Sequence, residues 1–199
     1  MKISIIIPVF NAVNTIRRAI ASVDTKQNYE IICINDGSTD DSKIELEKLQ
    51  NEYKHVIIIN QENQGAAASR NVGLANMTGD VFMFLDADDQ FLPGKMDQMI
   101  QYYEKNEHLD IVIGQIGRGL NGDWKVIPTH EDIHREAIVS LAEAPEILQS
   151  IGPGGKLFKA KFNTLRFDED VVFCEEHTFV TRAYLMSRDI QLVPFIVYG

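Results

Sequence analysis

The chain is poor in the residues that mark several classes of protein. It has two cysteines, Cys33 and Cys174, among 199 residues. That is too few for a disulfide framework and suits a reducing compartment. Basic residues are in deficit: 19 Lys and Arg against 29 Asp and Glu leave a net charge of −10. General nucleic-acid binding needs a basic face, so this class is set aside. No apolar run approaches the roughly 20 residues that span a bilayer. The N-terminus, MKISIIIPVFNA, has one lysine, a short apolar run and no small-residue cleavage site, so it does not read as a signal peptide. Cytosol is the expected compartment.

What is present is an ordinary globular composition, 45% hydrophobic and 24% charged, in a chain that fits one large domain with a substantial core. The first half alternates short apolar runs with helical patterns. Strands are expected over 3–10, 29–35, 56–60 and 81–85. Between and after them, apolar residues recur at helical spacing: Ile16, Ala19, Ile20 and Val23; Leu46, Leu49 and Tyr53; Ala68, Val72 and Ala75; then Leu92, Met96, Met99, Ile100 and Tyr103. Strands apolar on both faces that alternate with helices predict an α/β fold, a mostly parallel sheet covered by helices on both sides.

From Ile111 the rhythm changes. IVIGQIGRGLNGDWKVI reads as two antiparallel strands around a Gly- and Asn-bearing turn. Residues 130–150 read as helical, divided at Pro145, and a last strand is expected over 190–198. A chain stopping on an apolar strand also predicts uncovered apolar surface over 190–199 and a C-terminal truncation. His108, His130, His134 and His177 read as surface or loop residues, with His177 placed to line an acceptor groove.

In an open parallel sheet, ligands bind beyond the carboxyl ends of the strands. The polar motifs PVFNA, INDGSTDDS, NQENQGAAASRN and DADD all fall at those ends. Taken singly they are weak, since Asp36-Gly37-Ser38 is an ordinary turn and cap sequence. Their shared edge is the signal. The turn after the first strand, PVFNAVNT, lacks the glycines of a dinucleotide fingerprint, and GPGGK at 152–156 lacks Walker A spacing. A bound nucleotide's phosphates must then be neutralised through a cation. Asp86, Asp88 and Asp89 cluster behind a greasy strand, and Mg²⁺ or Mn²⁺ held by Asp88 would bridge a diphosphate.

IIIPVFNA, INDGSTDDS, NQGAAASRNVGLANMTGD and FLDADD, in that order, resemble the successive signatures of GT-A fold, family 2 glycosyltransferases. The resemblance implies a Rossmann-like sheet with a small antiparallel acceptor-side extension. Residues 1–110 would form the nucleotide-sugar-binding half and 111–199 the acceptor-side half of one domain. It implies sugar transfer with inversion from a nucleotide diphosphate donor, with UDP expected. By resemblance, Pro8, Phe10, Asn11 and Asp36 hold base and ribose, Asn63 and Arg70 line the donor site, Asp86 contacts the ribose and diphosphate side, and Asp88 binds metal. Asp36 also makes sense alone, because a carboxylate accepts a hydrogen bond from a uracil N–H.

The later stretch 156–187 is similar more loosely, and its Glu-Asp pair falls on Glu175-Glu176. The second position departs from the usual Asp, which changes its reach by one methylene. An acceptor hydroxyl must lose its proton as the new bond forms, so Glu176 is the expected base, with Glu175 beside it. The expected acceptor is a surface glycan or polyol phosphate, with room for peripheral membrane association and an oligomer. Two alternatives stand: a non-catalytic nucleotide-sugar binder, and a sugar-1-phosphate nucleotidyltransferase.

Overall fold

The structure is a computed structural model and describes residues 1–120, 123–171 and 173–199. The elements run β1 (Lys2–Val9), α1 (Ile16–Ala21), β2 (Asn28–Asp36), α2 (Ser42–Glu52), β3 (Val56–Gln61), α3 (Gly65–Asn76), β4 (Val81–Phe84), α4 (Lys95–Lys105), β5 (Ile111–Leu120), β6 (Asp123–Val126), β7 (Ala137–Val139), β8 (Lys156–Lys159), α5 (Glu176–Met186) and β9 (Ile190–Tyr198). Among the described residues they form one sheet in the order β3-β2-β1-β4-β8-β5-β9-β7, with β6 paired to β5. β3, β2, β1 and β4 are parallel. β8 is inserted antiparallel between β4 and β5, and β5 runs parallel to β9. The antiparallel pieces are therefore β8, β7 and β6, as the α/β expectation with a small antiparallel extension requires. The turn expected between β5 and β6 lies outside the described residues.

The strands are apolar on both sides because two cores need them. Ile3, Ile5, Ile7 and Val9 of β1 pack with α1, α2 and α4, including Leu46, Leu49, Met96 and Met99. Ile6, Ile32, Ile34 and Phe82 face the other way, toward α3 and α5, with Leu74, Phe179, Val180 and Tyr184. α3 lies so close to β1 that a Cβ at Gly73 would sit 2.3 Å from Ile6 Cγ2. Only a glycine permits that approach. The buried face of α3 centres on Ala67, Ala68, Arg70, Asn71 and Leu74. The expected stripe was shifted, and Ala75 is exposed.

Three expectations in the second half are corrected. Residues 130–150 are not helical: they hold short 3₁₀ turns at Pro128–His130 and Pro145–Gln149 and the strand β7. β7 pairs with the outer side of β9, so an edge needing a partner overrode local helix preference. Residues 190–199 leave little apolar surface open, since Ile190, Leu192, Val193, Val197 and Tyr198 are buried and Phe195 and Ile196 are partly covered. His130 is no surface residue but 2% exposed, its Nδ1 accepting from Ile116 N at 3.2 Å. Among the described residues no helix is long and apolar enough to cross a membrane.

Candidate functional site

Two spaces open at the carboxyl edge of the sheet. The smaller, about 390 Å³, is lined by Pro8, Phe10, Asn11, Asp36, Arg70, Asp86 and Asp88 among others. The larger, about 1020 Å³, shares Arg70, Asp86 and Asp88 and adds Arg18, Trp124, the Gly152–Gly154 loop, Glu176 and Tyr198. They meet at the ends of β4 and on the first turns of α3. Asn63 lines neither: it is exposed and packs over Gly37, where a Cβ would meet its backbone nitrogen at 2.8 Å.

The smaller space has stiff walls. Asn11 adopts a left-handed φ of 49°, and its Oδ1 accepts from Thr39 N at 2.8 Å and Asp40 N at 3.3 Å. Its carbonyl oxygen is thus tied to the β2–α2 loop. Asp36, 3% exposed, is occupied in the same way. It accepts from Gln61 Nε2 at 2.7 Å, Gln64 N at 2.9 Å and Gly65 N at 2.8 Å, fastening β2 to the start of α3. A carboxylate offers about four lone-pair directions, so this one has little left for a base. Phe10, 50% exposed, presents an uncovered ring at the mouth.

Arg70 is the electrostatic centre. It is 6% exposed, donates to Asp86 Oδ1 and Glu175 Oε1 at 3.0 Å each, and lies over the Phe167 ring. Burial works against its charge, but the Asp86 and Glu175 carboxylates outweigh that and raise its pKa further. Glu175 shows the reciprocal effect. Burial opposes its ionisation, yet hydrogen bonds, Arg70's among them, hold the carboxyl below the usual glutamate range. Asp86 is held again by Tyr198, whose hydroxyl donates to Oδ2 at 3.0 Å and accepts from Asp86 N at 3.2 Å. Burial, with the charges of Asp86 and Asp89, pushes Tyr198 well up, so it stays a neutral donor. Burial also raises Asp89, with the charges of Asp86 and Asp88 adding to it.

Asp88 differs from its neighbours. It is exposed, and among the described residues its carboxylate enters no hydrogen bond or ion pair; only its carbonyl does, accepting from Arg18. Among those residues no three His, Cys, Asp or Glu are grouped to hold a metal alone. A free carboxylate at the junction of the two spaces fits Mg²⁺ or Mn²⁺ of the kind that draws most ligands from water and substrate phosphates. Glu175 is tied to Arg70 and lies close enough to Glu176 for the two carboxyls to interact, while Glu176 opens α5 and lines the larger space with Asp88. Cys174, directly before them, has φ 59°. Asn11 and Cys174 are the non-glycine residues with positive φ among the described residues, and both flank the site. Asparagine tolerates left-handed backbone, whereas it costs a cysteine roughly 1–2 kcal/mol, strain of the kind functional loops tend to hold.

Sequence reasoning missed Tyr198, the end of β9 and Lys156. Gln90 and Gly199 exchange backbone hydrogen bonds of 3.0 and 3.1 Å, and Leu92 N donates to Val197 O at 2.8 Å. The last strand thereby braces the DADD turn. Lys156, fully buried, donates to Ser150 Oγ at 2.8 Å, Gly152 O at 2.5 Å and Gly154 O at 3.4 Å, holding GPGGK as a wall of the larger space. Burial pushes its amine down to about 7. No pattern in an apolar strand or a glycine loop announces either role; the hint for Lys156 was a lysine between GPGG and an apolar run.

Comparison with known proteins places this geometry. The family model for glycosyl transferase family 2 matches residues 4–174. The chain is 36% identical over its whole length to the Staphylococcus aureus (strain N315) protein named as glycosyltransferase TagX, of which it covers 58%. It is 31% identical over 203 residues, 96% of this chain and 31% of the relative, to a poly(ribitol-phosphate) beta-glucosyltransferase of Bacillus spizizenii. Solved structures of S. aureus TarS 1-349 superpose over all of it, with TM-score 0.86 at 24% identity covering 60% of that chain, and 0.85 for the complex with UDP. That likeness gives the same α/β GT-A architecture. The chain thus spans under two thirds of the length of these relatives.

Proposed function

Because the chain belongs to glycosyltransferase family 2, we propose that it transfers a sugar, with inversion, from a UDP-sugar to an acceptor hydroxyl in teichoic-acid-type or other surface-polysaccharide synthesis. The observation that carries this reading is the meeting of two spaces at Arg70, Asp86 and Asp88, with Glu176 on the wall of the larger one. The smaller space takes the nucleoside: the Phe10 ring stacks the base, and Asp36 and Asn11 keep the wall rigid. The diphosphate lies at the junction. Asp88 would hold Mg²⁺ or Mn²⁺, which when bound would supply Lewis-acid stabilisation of the leaving diphosphate. Arg70 holds Asp86 in place at the junction.

Glu176 accepts the acceptor hydroxyl's proton as the bond to the sugar forms. Glu175, already engaged by Arg70, orients the first turn of α5. A UDP complex of a structural neighbour supports the nucleotide, and a relative named for poly(ribitol-phosphate) supports a polyol-phosphate acceptor. The reading places the reaction on the cytosolic side, where nucleotide sugars are made.

The test is UDP release from a panel of UDP-sugars with Mn²⁺, alongside calorimetric UDP binding. Glu176→Gln keeps the shape and removes the charge. UDP affinity is expected to stay within two-fold while turnover falls by about 10²-fold. Unchanged turnover would remove Glu176 as the base, and absence of UDP binding to the wild type would overturn the whole reading.

A further inference from the structure

We propose that Asn71 is a positioning residue for the base, acting with Arg70 to fix Phe167–Glu169 and Glu175, which flank the acidic stretch before α5, onto α3. The proposal rests on the reading of Glu176 as the base. Arg70 and Asn71 are adjacent on α3 and both buried, at 6% and 8% exposed. Arg70 holds the end of the loop through Glu175. Asn71 holds its beginning: Oδ1 accepts from Phe167 N at 2.8 Å, and Nδ2 donates to Phe167 O at 3.0 Å and to Glu169 Oε1 at 2.7 Å. The amide grips both polar backbone groups of one residue, as a neighbouring strand would, and spends its second N–H on the carboxylate two residues on. A side-chain amide supplies an acceptor and two N–H donors at once; an ionised carboxylate has no donor, and a hydroxyl has only one.

The grip reaches the base through packing. The Phe167 ring stacks on Phe179 of α5 at 4.3 Å and 3°. Phe179, Val180, Ala183 and Tyr184 seat the rest of α5 in the core. The freedom left to α5 is at its first turn, where Glu176 stands, and the loop that enters this turn is held by two successive side chains of the donor-site helix. Asn71 lines neither space, so losing it should misplace Glu176 while leaving the nucleotide's contacts in place.

The experiment uses the full chain with Mn²⁺ and UDP-N-acetylglucosamine as probe, comparing Asn71→Ala with Glu176→Gln. It measures UDP release, UDP affinity by calorimetry, and amide hydrogen exchange over the loop. Asn71→Ala is expected to lower kcat ten-fold or more, leave UDP affinity within two-fold, and speed exchange at residues 168–171. Asn71→Asp sets two carboxylates face to face. Adding Glu169→Gln restores a donor between those positions and should recover part of the lost kcat. Full kcat in Asn71→Ala while Glu176→Gln is inactive would overturn the proposal and leave the base intact. Activity retained in Glu176→Gln would instead overturn the base. Equal losses of UDP affinity and kcat, or unchanged loop exchange, would make Asn71 an ordinary packing residue. Should Asn71→Ala fail to fold, the comparison of Asn71→Asp with its Glu169→Gln partner decides alone, absence of recovery counting against the proposal.

Discussion

Replacing Arg70 with methionine removes one cation and strands two carboxylates. The guanidinium's side chain is 8% exposed, while those of Glu175 and Asp86 are 19% and 39% exposed. Breaking a buried pair by deleting one partner costs about 3–5 kcal/mol. Asp86 is partly solvated, and its share must be discounted, which leaves about 2–4 kcal/mol. For a chain of this size each kcal/mol moves Tm by roughly 2–4 °C, so a fall of about 5–15 °C is expected. The pH dependence supplies a sharper check. Glu175 is held below its ordinary value in the folded state, so its stabilisation is present above that value and lost as pH falls through the depressed one. The gap in Tm between wild type and Arg70→Met should therefore shrink on acidification. Arg70→Lys should recover only part of the loss, because an ammonium does not reproduce the fork to both carboxylates. Scanning calorimetry from neutral to acid pH reads all three. A Tm change under 2 °C, or a gap that stays constant with pH, would refute the account of Arg70 as a shared buried cation.

Asp88→Asn should remove most of the metal-dependent part of UDP affinity while Tm stays within a few degrees, because the side chain is exposed. Equal UDP affinity with Mn²⁺ and with EDTA in the wild type would end the metal role. His130 should make the fold acid-sensitive. Burial, with the charge of Lys156 adding to it, pushes its imidazole down to about 3, whereas an unfolded histidine titrates near 6.5. The unfolded chain binds more protons in that window, so stability should fall as pH drops through it. His130→Gln cannot gain the proton and should flatten that part of the curve; parallel wild-type and mutant melts would contradict the assignment.

The parallel core was legible because its strands are apolar on both faces, a demand that only a sheet covered twice imposes. Observed limits of these strands differ from the expected ones by at most one residue. Residues 130–150 were not legible, since β7 exists only because β9 offers an edge at Ile190–Leu192. Among the candidate site residues, those with local positions were legible as positions: Asp88 beyond a strand end, and the Glu175-Glu176 pair at the start of a helix. Asp36 and Asn11 were read as nucleotide contacts, but much of their hydrogen bonding goes to backbone N–H groups that approach only after folding. Asn63 carried a motif position without reaching the space. Tyr198 gave no sign, because an aromatic in an apolar strand looks like core until its hydroxyl finds Asp86.

The bracing of the DADD turn by the end of β9 has a consequence for synthesis. Asp86 and Tyr198 are 112 positions apart, so the turn cannot take its final shape while the nascent chain is short. At about 5–20 residues per second, the 89 residues after position 110 take about 4–18 s to follow the parallel half off the ribosome. During that time β1–β4 can pair, but β8 and β9 are absent, and β4 is an open edge. Nascent chains in this interval are ready templates for strand pairing with one another. The carboxylates beyond β4 then act as charged gatekeepers at the end of that edge, before they have any ligand to meet.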